Sequence, residues 1–167
     1  MDEKHFFDVS AIKDRLNKYR EKERDIDNQI ERLERLTAKM TGVGAQVITD
    51  MPRAPGTSID RIAVMVSEKE ELEREIREDV KSQAESWKEV EGLLCRLKHS
   101  DERAVIRIRY HDRENWSTVA QMMFGAKEDY VGKEDTYLRR VHKIHGSALL
   151  NLARMVFEDG ENISEAI

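Results

Sequence analysis

The chain has 167 residues, of which 38% are charged and only 6% aromatic, with 8 glycines and 2 prolines. That profile excludes β-sandwiches and barrels, which need many turns and β-branched or aromatic strands, and it favours long solvated helices. A formal net charge of −5 rules out a bulk polycation that coats nucleic acid, so any DNA contact must come from a local basic face.

The first residues, Met1 to His5, carry no apolar core of a signal peptide, and no apolar run in the chain approaches the length that spans a bilayer. Cys95 is the only cysteine, so an internal disulfide and a four-cysteine zinc site are both excluded. The expected setting is a reducing cytoplasm with no membrane partner.

From Val9 to Met40 a seam with alternating steps of three and four reads Val9, Ile12, Leu16, Tyr19, Glu23, Ile26, Ile30, Leu33, Thr37, Met40, with charged residues between. A seam repeating every seven residues is the coiled-coil pattern, in which each knob fills a hole on a facing helix. Gly42 and Gly44 are expected to end this helix, and Pro52 and Pro55 disfavour helix around themselves. Thr57 or Ser58 is the expected cap of a second helix. Its seam reads Ile59, Ile62, Val66, Lys69, Glu73, Ile76, Val80, Gln83, Trp87, Val90, Leu94, Leu97. The loop, about 42–57, lets the second helix fold back on the first, so residues 1–99 are read as a long antiparallel two-helix coiled-coil hairpin. Lys69, Glu73 and Gln83 interrupt the second seam, which points to a solvated stretch or to contacts with a further chain. A two-helix core is narrow, so the hairpin could also serve as a homodimer contact.

The last third has shorter segments. Ser100 is a good helix N-cap, with Asp101 and Glu102 favourable behind it. The first segment is expected over about 101–111, burying Val105, Ile108 and Ala104, and Arg103, Arg107, Arg109 and Arg113 add positive charge to it. The second starts near Trp116 and Ser117 and buries Val119, Ala120, Met123 and Phe124, with Ser117 or Thr118 as cap and Gly125 as the turn. The third runs from about 136 to 157, with Leu138, Val141, Ile144, Ala148, Leu149, Leu152 and Met155 on its apolar side. Three helices in this order are the plan of a helix-turn-helix DNA reader, giving an all-α chain with a DNA-binding domain over 100–157.

Such a reader must bury one face of its last helix and leave a basic face free for the major groove. Thr136, Arg139, Arg140, Lys143 and Ser147 share one face, opposite the apolar set. Arginine pairs with guanine edges, while lysine and serine hold phosphates. Ser117 and Thr118, at the start of the preceding helix, join them as candidate DNA contacts. Residues 100–157 carry ten Lys or Arg against eight Asp or Glu, so the basic balance sits in this third but is small. The final ten residues are acidic and are expected to form a flexible tail that either solvates the end or competes with DNA for the basic face.

Residues 116–123 (WSTVAQMM) and 138–149 (LRRVHKIHGSAL) resemble region four of bacterial sigma factors. The stretch 141–149 (VHKIHGSAL) and the loop 50–55 (DMPRAP) are similar to small phage and prophage proteins, related to late-transcription regulators, that place a sigma-like helix-turn-helix behind a helical hairpin. The resemblance covers most of residues 10–153. It implies a phage or prophage transcription regulator in the bacterial cytoplasm that binds promoter double-stranded DNA and could dock on RNA polymerase. It puts Arg139, Arg140 and Lys143 on the reading part of the recognition helix, and Val119 and Ala120 on the packing positions. One departure is the insertion 126–135 (AKEDYVGKED) where such proteins have a short turn. It is either a loop held away from DNA, an N-terminal extension of the third helix, or a sign that DNA binding has been lost.

Two other classes fit the pattern: a small DNA-packaging subunit resembling terminase small subunits, and a coiled-coil adaptor that never touches DNA. An enzyme is not expected. His142 and His145 stand three apart on one helix without a third ligand at a motif spacing, and there is no glycine-rich phosphate loop or nucleophile elbow. No catalytic residue, metal or cofactor is therefore assigned.

Overall fold

The computed structural model describes residues 8–45 and 57–164, and among them the chain is all-helical with no strand. Five α-helices follow in order: α1 (Val9–Ala45), α2 (Thr57–Leu94), α3 (Ser100–Ile106), α4 (Trp116–Phe124) and α5 (Glu134–Ser164). A π-helical segment, Arg107–His111, continues α3. The expected loop around Pro52 and Pro55 and the expected caps Thr57 and Ser58 lie outside the residues whose side chains are described.

The chain divides into two compact units. One comprises residues 1–21 and 86–167, the other residues 22–85, and both long helices pass through both units.

In the second unit α1 and α2 meet through polar bonds. Lys22 donates to Asp79 at 2.7 Å, Gln29 to the other oxygen of Asp79 at 3.1 Å, and Arg32 to Glu68 at 2.7 Å. The buried apolar residues here are Ile26, Leu36 and Leu72, joined by the amide-bearing Gln83. The seam expected from the sequence is only partly used. Leu36 is buried in place of the expected Thr37, while Ile30, Ile62, Val66 and Val80 are exposed. For Ile30 and Val80 the reason lies beside them: Gln29 and Asp79, each one residue away, face each other and form the bond. A helix that turns one residue toward its partner turns the neighbour away by about 100°.

The first unit holds the main core. Leu94 at the end of α2, Leu97 in the link that follows it, Val105 and Ile106 of α3, Val119 of α4, and Val141 and Ala148 of α5 exclude solvent almost completely. Ile12 and Leu16 of α1 and Val90 of α2 join the same cluster. All seven residues assigned to the apolar side of α5 are buried or packed against this core. At ~2 kcal/mol or more per buried aliphatic side chain, this cluster dominates the fold's stabilisation.

Several expected ends are corrected. α1 continues past Gly42 and Gly44 to Ala45. The cap of α3 is His99, with Ser100 as first helical residue. The cap of α4 is Asn115, whose side-chain oxygen accepts the Thr118 N–H at 3.0 Å, so neither Ser117 nor Thr118 caps it. The acidic tail expected to be flexible is helical as far as Ser164, and Arg96 holds Asp159 through two bonds at 2.5 and 3.1 Å. Cys95 is exposed just past the end of α2.

Candidate nucleic-acid interface

α3, α4 and α5 all contact one another in the first unit. The sequence builds this packing in steps. The α3 segment carries adjacent Val105 and Ile106, both wholly buried, and the π turn that follows brings Tyr110 into the core as well. In that wider turn the Asp112 N–H reaches the Arg107 carbonyl at 3.0 Å. Arg113 then takes a left-handed backbone conformation, φ 61°, and turns the chain into α4. Gly125 closes α4, where a side chain would collide with the Gln121 carbonyl.

The arginines of the first segment serve the fold. Arg107 bonds Glu91 of α2, and this pairing holds the Glu91 carboxyl below its ordinary range. Arg103 donates to the Leu97 carbonyl at 2.5 Å. Arg109 donates to the Glu114 carbonyl at 2.7 Å and lies over the Trp116 ring, 4.7 Å from its centre. These three therefore add little to a free basic surface.

The insertion 126–135 forms a turn-rich loop before α5. Tyr130 packs on Tyr137, and Tyr137 on Phe124, with ring centres 5.4 and 5.2 Å apart. Asp129 accepts the Tyr137 hydroxyl at 2.6 Å and the Lys133 ammonium at 3.0 Å, and both hold its carboxyl low. Glu134 accepts the Gly132 N–H at 3.0 Å, and Gly132 takes φ +91°, a conformation that suits glycine. Asp129 and Glu134, two of the acidic side chains of the insertion, are thus tied to groups within the loop and the start of α5. Helix α5 starts at Glu134, so the last two residues of the insertion, Glu134 and Asp135, form its first turn, and the helix does not reach back past Gly132.

On α5, Thr136, Arg139, Arg140 and Lys143 are all exposed. Among the described residues, no ion pair engages Arg139, Arg140 or Lys143. The Arg140 guanidinium rests 4.9 Å above the Phe124 ring, which sets its direction. Ser147 is exposed but engaged: its hydroxyl donates to Glu102 at 2.5 Å. Ser117 is exposed at the start of α4, and Thr118 is half-buried. A groove of about 600 Å³ runs between residues 99–102 and the Arg140, Lys143, Ile144 and Ser147 side of α5.

Two buried polar groups position α5: Glu102, expected only as a favourable charge at a helix start, and His145, weighed only as half of a metal pair. Glu102, 4% exposed, accepts from Ser147 and from the Asn151 amide at 3.0 and 3.1 Å, locking α3 to α5. His145, 8% exposed, faces the Tyr110 hydroxyl at 3.0 Å and the edge of Trp116. Burial pushes His145 down to about 4, from 6.5, so it is neutral at pH 7. The signal available for Glu102 is its spacing from the apolar pair Val105 and Ile106, which puts it on the inner side of a short helix.

His142 stays exposed with its ring 4.5 Å from Trp116, the same ring that His145 meets at 4.9 Å. Among the described residues no group of three His, Cys, Asp or Glu side chains is placed to hold a metal ion, and no helix is long and apolar enough to cross a membrane. No protein-family model, curated protein or solved structure matches this chain.

Proposed function

We propose that the protein is a DNA-binding transcription regulator in which α3, α4 and α5 act as a sigma-like helix-turn-helix and α5 enters the major groove. The observation that carries this reading is the exposed stripe of Arg139, Arg140 and Lys143, opposite the buried Val141, Ala148, Leu149 and Leu152 on one helix. A helix that is anchored along one side and cationic along the other fits the groove of a duplex, where phosphates reward the charge and guanine edges reward the arginines. Two carboxylates of the insertion support the same reading, because Asp129 and Glu134 are bonded to neighbouring groups and are not turned toward the stripe.

In this reading α1 and α2 form an antiparallel hairpin, since rising residue numbers on α1 bond to falling numbers on α2. Thr136 and Ser117 are auxiliary phosphate contacts, and Ser147, exposed beside them, gives its hydroxyl proton to Glu102. The phage regulator resemblance gives the reading its setting, with promoter DNA as partner and RNA polymerase as a docking target.

The test is selection of duplexes from a random pool with the full chain, followed by gel-shift titration of Arg139→Ala and Lys143→Ala. A defined motif should emerge. Removing a side chain that reads a base should weaken binding by about 1–3 kcal/mol at its own position, and removing one that holds a phosphate should weaken all sequences alike. Equal binding by the double variant and the parent chain would overturn the assignment.

A further inference from the structure

We infer that the second unit pairs with a second copy of this chain through an antiparallel contact between the two α2 helices, centred on Lys69 and Glu73. The inference stands whether or not α5 meets DNA.

Its starting point is the unused part of the α2 seam. Ile62, Val66 and Val80 keep the three-and-four spacing that places knobs on one side of a helix, yet they are 36%, 38% and 47% exposed. The helix spends a neighbouring face on α1, which Asp79 bonds and along which Leu72 and Gln83 are buried. It therefore carries two adjacent seams, and among the described residues only one is filled. Ile30 of α1 is also exposed, at 39%, near the level of residue 70. For two antiparallel helices it falls on the same side of the hairpin as the open α2 seam.

The choice of a second copy as occupant comes from the charges at the middle of that seam. Lys69 and Glu73 stand in line with Ile62, Val66 and Val80 and lie one turn apart, bonded at 2.8 Å. A two-fold axis midway between them brings Lys69 of each copy against Glu73 of the other. In the same register Ile62 meets Val80 of the second copy, and Val66 meets Ile76. Apolar residues thus meet apolar ones, and the two in-helix ion pairs become a closed cluster of four alternating charges. An unrelated apolar partner would leave Lys69 and Glu73 facing nothing that favours them. A copy aligned in parallel would set lysine against lysine. The sequence is thus complementary to itself in the antiparallel direction alone, as an isologous contact requires.

Sedimentation equilibrium on the full chain, over a concentration series, reads the result. The parent chain should dimerise. Lys69→Glu and Glu73→Lys should each weaken the dimer by roughly tenfold or more, because both copies then present like charges at both contacts. Mixing the two variants should restore it, since each supplies the charge the other lacks, although the in-helix pair stays broken in both. Circular dichroism confirms that both variants remain helical. A monomeric parent chain, single variants that dimerise as tightly as the parent, or a mixture that stays monomeric would each overturn the inference. A Val66→Asp variant that still dimerises would do so as well.

Discussion

The two units of this chain are built from the same kind of helix and hold together by different means. The unit containing α3, α4 and α5 buries wholly apolar positions drawn from five helices, among them Leu94, Val105, Val119, Val141 and Ala148. The unit spanning residues 22–85 shows, among its described residues, two helices, a few buried aliphatics, and polar bonds such as Lys22 to Asp79. Where many helices meet, the apolar stripe of each has one place to go, and the stripe in the sequence names the core. Where two helices meet, a stripe can rotate by one residue at little cost, and a local ion pair decides which residues turn inward.

The largest way to break this contrast is to hollow both units. Leu94→Ala removes a side chain with no solvent exposure from the larger core and should cost about 2–5 kcal/mol. Leu72→Ala in the thin seam should cost clearly less, because its surroundings can close over the gap. Urea unfolding of both variants measures the difference, and equal losses would erase the distinction between the units.

A second test concerns the polar groups that the larger core tolerates. His145 is neutral in the folded chain because burial lowers its pKa from 6.5 to about 4. The sign follows from proton counting. Between those two values the unfolded chain binds a proton that the native chain does not, so stability is complete above pH 6.5 and falls as pH drops toward 4. The shift corresponds to about 3 kcal/mol, and His145→Gln should remove most of this slope. A parent chain equally stable at pH 7 and pH 4.5, once the carboxylate contribution is matched in the variant, would deny His145 that role.

Smaller effects are expected at Glu102 and Gly125. Glu102→Ala strands the donors of Ser147 and Asn151 and should cost about 1–3 kcal/mol, with loosened attachment of α3 to α5 seen as faster amide exchange in α3. Gly125→Ala forces a side chain against the Gln121 carbonyl and should cost ~1–3 kcal/mol in thermal melts.

The same contrast explains what can be read in the sequence. The inward residues of α4 and α5 are legible because Val119, Ala120, Val141, Ala148, Leu149 and Leu152 follow one helical period without competition. The cap of α4 lies two or three residues before its expected place, since Asn115, Ser117 and Thr118 all carry a suitable oxygen and only the backbone turn after Arg113 selects among them. The inward choice of Gln29 over Ile30 is not legible, because it depends on Asp79 standing fifty residues away. Ser147 shares a face with the basic stripe, which makes it look like a DNA contact; its partner Glu102 belongs to another helix and carries no local sign of that bond. The π segment likewise has no distinctive composition, and its position reflects the packing of Tyr110 and the fit of Trp87 against His111, whose rings stack with centres 4.4 Å apart.

The most direct measurement of the central claim is the salt dependence of binding to the selected duplex, compared between the parent chain and the Arg139→Ala/Arg140→Ala/Lys143→Ala variant. If α5 lies in the groove, the logarithm of the binding constant falls steeply with the logarithm of salt for the parent, and the slope flattens by about one for each phosphate that the variant no longer neutralises. Identical slopes and affinities for the two proteins would show that this face of α5 does not meet DNA.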